Sequence, residues 1–315
     1  MKKLVYRAAS LLIAGSLSVS ASALNVLITN DDGYQSANLR ALYDALKTSG
    51  HDVMISAPAG EQSGKAASFN YFSPAPVGQD TNDSDIHYVE GTPIMALLYG
   101  LDVLAPERWG SNPDLVLSGI NSGHNVGLIN PTSGTVGATV TAVRRGVPAI
   151  ALSGIHGSDR DGTSSALAEL VVPIIEALKR KSPVLPEGYG LNINLPSLRK
   201  FSADSVTYEL TTASNYSANV PVFVTDMSPY SIPAYGINLP AEPGIVFTSY
   251  EQSSAPEDNN AQAEGRKVEE GSVAISLLDA RYGATTYDFS AEKAQMMIRS
   301  RLSGLLSDSA FSWLK

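Results

Sequence analysis

Hydrophobic and polar positions fall into short blocks along this chain, and the blocks have two periods. NVLIT (25–29) and DVMISAP (52–58) are apolar runs of the length and composition of buried strands. Between them, SANLRALYDALKTSG repeats Leu39, Leu42 and Leu46 at helical spacing, with Ser36 placed to cap its start and Gly50 its end. Strand, helix and strand of these lengths predict a right-handed parallel crossover. The alternation continues. A helix-sized segment from Thr92 to Leu104 leads through a loop containing Pro and Gly to the apolar run Pro113 to Ser118. A polar, glycine-rich loop from Gly119 to Gly134 follows, then the helical TVGATVTAVRRG and the strand VPAIALS.

Beyond Ser164, ALAELVVPIIEALKR predicts a helix interrupted or kinked at Pro173, and GLNINLP one more strand. Residues 200–260 change character, with alternating stretches SVTYELTT and PVFVTD that predict antiparallel strands or hairpins. QSSAPEDNNAQAEG reads as an exposed loop, VAISLL as a strand and AEKAQMMIRSRLSGLL as a C-terminal amphipathic helix. The expected fold is α/β: a three-layer, Rossmann-like, mostly parallel sheet with helices on both faces, plus a β-rich C-terminal extension. The core spans 24–199. Residues 200–315 complete the same domain and are expected to make subunit contacts.

The N-terminus breaks the pattern. Lys2, Lys3 and Arg7 precede the apolar AASLLIAGSLSV, and Ala21-Ser22-Ala23 supplies the small residues of a cleavage site. The apolar part is shorter than the ~20 residues that span a bilayer. Residues 1–23 therefore read as a cleavable signal peptide, which predicts a periplasmic or secreted protein without a stable membrane anchor. Its removal deletes three positive charges from a chain whose formal charge is already −9. An acidic protein is a poor electrostatic partner for nucleic acid. Cysteine is absent, so disulfides, thiolate metal sites and a cysteine nucleophile are excluded.

In parallel sheets of this kind ligands bind beyond the carboxyl ends of the strands. Three polar loops follow strands, around Asn30, Ser63 and Asn121, and so converge on that edge. Asn30-Asp31-Asp32-Gly33 alone is ordinary turn chemistry. Together, however, Asp31, Asp32, Ser63 and Asn121 form a set of hard oxygen donors suited to Mg²⁺ or Mn²⁺. Ser133-Gly134-Thr135, at the start of a helix, is either an ordinary cap or a cradle for a phosphoryl group.

ITNDDG, APAGEQSG, Gly91-Thr92-Pro93, NPDLVLSGINSGHNVG, SGTVGA and GLNINLP occur in the order and approximate spacing of the SurE (stationary-phase survival protein) family, and the chain resembles that family over about residues 25–197. The resemblance implies a metal-dependent phosphomonoesterase acting on nucleoside 5'-monophosphates, or 3'-monophosphates, with one divalent metal per subunit. By motif it makes Asp31, Asp32, Ser63 and Asn121 the metal ligands, with Asp31, Asp32 and Asn121 catalytic. Asn30, Asn125, Ser133, Gly134 and Thr135 fall on the phosphate side. It further implies a homodimer or homotetramer. Two positions depart from the family pattern. Glu61-Gln62 stands where a basic residue is usual, and His124 replaces a proline. Two alternatives carry different chemistry. Asp31 could be a phosphoryl-accepting nucleophile, although in haloacid-dehalogenase-like phosphatases the paired aspartates are separated by one residue. An exported nucleotide- or sugar-binding module without turnover would share the fold.

Overall fold

The computed structural model describes residues 23–155, 162–233, 237–281 and 289–306. Nearly all of the signal-peptide segment thus lies outside the described residues. The described chain runs β1 (Asn25–Thr29), α1 (Ala37–Thr48), β2 (Asp52–Pro58), β3 (Val77–Gln79), β4 (Ile86–Val89) and α2 (Pro93–Tyr99). It continues with α3 (Ala105–Trp109), β5 (Leu115–Ser122), α4 (Gly134–Arg144), β6 (Ala149–Gly154), α5 (Thr163–Leu178) and β7 (Tyr189–Asn194). The C-terminal part adds β8 (Thr207–Thr211), β9 (Asn219–Val224), β10 (Gly244–Ser249), α6 (Glu264–Glu269), β11 (Ser272–Asp279) and α7 (Phe289–Arg301).

One nine-stranded sheet organises the molecule in the order β3-β4-β2-β1-β5-β6-β7-β11-β8. The strands from β4 to β7 are parallel, whereas β3 and β11 run antiparallel to β4 and β7. Both faces of β1 are buried: Val26 and Ile28 pack in a cluster with α1 and α5, and Leu27 in another with α2 and α4. This is why the strand sequences read as continuous apolar runs rather than alternating ones. Leu42 of α1 is fully buried, and truncating it to alanine would cost about 2–5 kcal/mol.

The structure revises several expectations. The helix predicted to end at Leu104 continues through a π-helical turn, Gly100–Leu104, into α3, because Pro106 sits in the first turn of α3, where no backbone donor is needed. Ser36 occupies the N-cap position of α1 but makes no side-chain cap bond. Pro173 lies inside α5, which is assigned as one helix. The predicted loop after Ser118 is strand as far as Ser122, with a register break against β6 between Ser118 and Asn121. Gly119 is required there, since a Cβ on it would lie 2.1 Å from the Leu152 carbonyl oxygen. SVTYELTT forms no hairpin with PVFVTD. Its strand β8 is parallel to β11 at the sheet edge, while β9 pairs antiparallel with β10 in a separate ribbon. The short strands β3 and β4 had no periodic signal long enough to predict them.

Candidate functional site

β1 ends at Thr29 and the chain reverses through Asn30 to Gly33. Asn30 is fully buried and clamps the turn: its Nδ2 donates to the Gly33 carbonyl (2.9 Å) and its Oδ1 accepts from the Gly33 N–H (3.2 Å). Gly33 has φ +98°, and its Cα faces Gly60 closely enough that a Cβ would meet that backbone at 3.1 Å. The turn is thereby locked to the loop after β2, where the Gln62 N–H donates to the Asp31 carbonyl (2.7 Å).

Asp31 and Asp32 point in different directions from this turn. Asp31 is 3% exposed, and its Oδ1 accepts from the Thr135 hydroxyl at 2.7 Å. Gly134, the first residue of α4, makes room for it, since a Cβ there would lie 2.8 Å from Asp31 Oδ2. The positive end of α4 is therefore directed at the Asp31 carboxylate. Asp32 is half-buried, and its Oδ2 accepts from the Ser122 N–H at 3.0 Å. Burial raises the pKa of both groups. For Asp31 the charge of Glu61 adds to it, against the Thr135 hydrogen bond. For Asp32 the charge of Asp31 adds to it and the group titrates near 7. Among the described residues neither carboxylate makes an ion pair, and the main influences on each are burial, neighbouring carboxylates and neutral hydrogen-bond donors.

Asp32, Glu61, Ser63 and Ser122 line a polar cleft of about 350 Å³ together with Ser36 at the start of α1. Ser63 is exposed, and its N–H donates to Glu61 Oε1 (2.7 Å). Asn121 lies one residue before Ser122 on the wall of that cleft, its Nδ2 donating to the Gly123 carbonyl (2.8 Å). At the carboxyl edge of β1, β2 and β5 the structure thus puts Asp32 and Ser63 on one cleft, while Asp31 and Asn121 are each chain neighbours of residues that line it.

The residues assigned to phosphate are placed differently. Ser133 caps α4 by accepting from the Val136 N–H (3.1 Å), and Thr135 holds Asp31. Asn125 is 4% exposed and enclosed by protein: its Nδ2 donates to Ser153 Oγ (2.8 Å), and its N–H donates to Asn194 Oδ1 (2.9 Å). Asn30 is consumed by its turn. Asn30, Asn125 and Thr135 thus spend their side chains on protein partners, whereas the Ser133 hydroxyl accepts the cap bond with its own O–H still available as a donor. His124 Nε2 lies 2.7 Å from the Leu195 carbonyl, which requires the proton on Nε2, and burial lowers its pKa, so it is a neutral structural donor.

Of two further contributors, the first was noted in the sequence without a role and the second was missed. Glu61 brings a third negative charge to the rim, a consequence of the departure from the basic residue expected there. Glu264 of α6 is fully buried behind the loop that leads to Ser133. Its carboxylate accepts from Asn130 Nδ2 (2.8 Å), the Gly127 N–H (3.2 Å) and Asn192 Nδ2 (3.1 Å). No local motif marks Glu264. Its partners lie far away in the chain, and only its position before an apolar strand could have drawn notice.

Fold and site together define a doubly wound α/β protein whose carboxyl edge carries two adjacent, burial-shifted carboxylates beside a helix N-terminus. A family profile described as "Survival protein SurE" matches residues 26–219, and the chain belongs to the SurE family. An acid phosphatase of Yarrowia lipolytica is 38% identical over 205 residues, covering 56% of this chain and 57% of that protein. The 5'-nucleotidase SurE of Lawsonia intracellularis is 38% identical over 177 residues, covering 56% of this chain and 67% of that protein. Among solved structures, the Sure protein of Aquifex aeolicus superposes with a TM-score of 0.64 at 26% identity, covering 86% of this chain and 99% of that one. The matched segment thus spans little more than half to two thirds of the curated relatives' own length.

Proposed function

We propose that the protein is a phosphomonoesterase that depends on one divalent metal, Mg²⁺ or Mn²⁺, and removes phosphate from nucleoside 5'-monophosphates. The observation that carries this reading is the pair Asp31 and Asp32, adjacent and burial-shifted, with no ion pair to either among the described residues. Burying charge without a partner is costly, and a dication is the partner such a pair accepts. The donor set fits: two carboxylates, the Ser63 hydroxyl and the Asn121 amide oxygen are hard ligands for Mg²⁺ or Mn²⁺. When bound, the metal would neutralise the phosphoryl oxygens and acidify a water. The chain's own residues prepare for this. Thr135 and the α4 N-terminus hold Asp31 in one orientation, and the Ser122 N–H holds Asp32. The cleft beside Asp32, Glu61 and Ser63 admits the ester, and Glu61 on its rim favours esters with neutral leaving groups.

The relatives named acid phosphatase and 5'-nucleotidase support the reaction class. The signal-peptide pattern of residues 1–23 supports export to the periplasm or beyond, and the family resemblance supports a homodimer or homotetramer. The test is the purified mature protein against a panel of Mg²⁺, Mn²⁺, Co²⁺, Zn²⁺ and Ca²⁺, with an aryl phosphate and the nucleoside monophosphates as substrates. Phosphate release that chelation abolishes is expected. Turnover undiminished by chelator, or tight nucleotide binding with no release under any metal, would overturn the proposal. Intact mass of the native protein tests export, which a mature form retaining Met1 would refute.

A further inference from the structure

The loop between Ser63 and β3 carries three aromatic side chains that the fold leaves bare. Phe69 is 39% exposed, Tyr71 72% and Phe72 105%. They form one cluster. The Phe69 and Tyr71 rings meet edge to face with centroids 4.7 Å apart, and Tyr71 and Phe72 lie 6.1 Å apart. Phe72 has φ +55°, a left-handed conformation that an aromatic residue seldom adopts, and its ring is fully in solvent. A cluster of this kind on a surface marks a contact site.

The loop is rooted at the candidate site. The Ser68 carbonyl accepts from Thr92 Oγ1 (2.6 Å), and the Ala66 N–H donates to the Thr132 carbonyl (3.2 Å). Gly137 of α4 lets this backbone approach, since a Cβ on it would lie 2.8 Å from Ala66. Thr92 caps α2, and the next residue, Pro93, touches Gly134: a Cβ there would lie 3.0 Å from Pro93 Cγ and 2.8 Å from Asp31 Oδ2. Contacts therefore run unbroken from the Asp31 carboxylate through Gly134, Pro93, Thr92 and Ser68 to Phe69.

We propose that Phe69, Tyr71 and Phe72 are the platform on which the base of a nucleotide stacks while its phosphate lies at Asp31 and Asp32. This inference rests on the phosphomonoesterase reading. The cleft itself is lined by carboxylates and hydroxyls and offers no flat apolar face, so discrimination between a nucleotide and a base-free sugar phosphate falls to the neighbouring loop. Every base presents a π-face, so the platform selects for the presence of a base more than for its identity.

Steady-state kinetics and calorimetric binding, with Mg²⁺ or Mn²⁺ present, test this on adenosine 5'-monophosphate and ribose 5-phosphate. Tyr71→Ala and Phe72→Ala should lower kcat/KM for the nucleotide about 5- to 100-fold through KM. Ribose 5-phosphate should be unaffected, and Tyr71→Phe should retain nucleotide activity. Equal losses on the two substrates, or no loss on either, would overturn the platform. Equal losses accompanied by a changed oligomeric mass would identify the cluster as a contact between copies of the chain, and would overturn it too. A protein that turns over neither ester refutes the phosphomonoesterase reading by itself. The platform is then judged by binding alone: it stands if the nucleotide binds more tightly than ribose 5-phosphate and Tyr71→Ala removes the difference, and it falls otherwise.

Discussion

Aspartates at opposite ends of the same sheet sit in opposite electrostatic surroundings. At the amino edge, where β2 and β4 begin, Asp52 and Asp85 share Arg108, Lys47 adds an ion pair to Asp85 (2.9 Å), and Trp109 Nε1 donates to Asp52 (2.8 Å). Hydrogen bonding to Arg108 holds the Asp52 carboxyl below its ordinary range. Asp85 is held low as well, the upward push of burial being outweighed by Lys47 and Arg108. At the carboxyl edge Asp31 and Asp32 are more deeply placed, have no ion pair among the described residues, and are pushed up instead. A carboxylate whose charge is balanced within the fold is finished as structure, whereas one left unbalanced is stable only with a ligand or a proton. Glu264 is a third case: burial raises its pKa as it does that of Asp31, against a larger set of neutral donors, Ser276, Asn130, the Gly127 N–H and Asn192, that lower it.

The comparison is broken most directly at Asp31 and Asp32. Asp31→Asn and Asp32→Asn should each lower phosphate release by about 100-fold or more through lost metal affinity. The metal-free protein should at the same time keep or gain thermal stability, because a repulsion is removed. Calorimetric metal titration and thermal unfolding on the same samples check this, and normal activity at limiting metal would mean the pair is only a turn.

Removing Glu264 tests whether neutral donors suffice. Glu264→Ala leaves the Gly127 N–H and the Asn130 amide without their acceptor, takes one of two acceptors from the Asn192 amide, and should cost about 3 kcal/mol, measured by denaturant unfolding. A loss under 1 kcal/mol would show that the loop before α4 does not depend on this carboxylate.

The two edges should also titrate in different windows. Asp31 and Asp32 have folded pKa values above their unfolded ones, so their contribution favours the folded state below about pH 4 and is lost as pH rises toward 7. The melting temperature of metal-free protein should therefore fall, on the order of 5 °C, between pH 5 and 8. Saturating metal should flatten that slope. Asp52 and Asp85, with depressed values, contribute stability above their unfolded pKa that is lost only in more acidic solution. A metal-free melting temperature independent of pH from 5 to 8 would contradict the contrast.

The smallest effect is expected at the balanced edge. Arg108→Ala removes a shared partner from Asp52, 40% exposed, and Asp85, 17% exposed, and screening by water limits the loss to about 1 kcal/mol. The melting temperature should drop by about 2–4 °C with kcat/KM unchanged. A loss of activity would mean that the two edges are coupled.

What could be read along the chain was what local chemistry specifies. The apolar runs of β1, β2, β5, β6 and β7, the leucine spacing of α1 and the Ser133 cap depend on neighbours a few residues away. The turn at Asn30 to Gly33 was legible as a turn for the same reason, and its meaning as a site came from the parallel sheet those periodicities imply. Tertiary structure decided the rest. The family resemblance puts Thr135 on the phosphate side, and only the docking of α4 on β1 shows that its hydroxyl also meets Asp31. It does the same for Asn125, and only β7 shows that Asn192 and Asn194 enclose it. The pairing of β8 with β11 at the sheet edge, and of β9 with β10 in a ribbon apart from that sheet, joins segments that no local pattern links. The balance of charge was the least legible property of all. Whether an aspartate is paired, like Asp52, or left open, like Asp31, depends on cations contributed by distant segments, and period and composition carry no record of those distances.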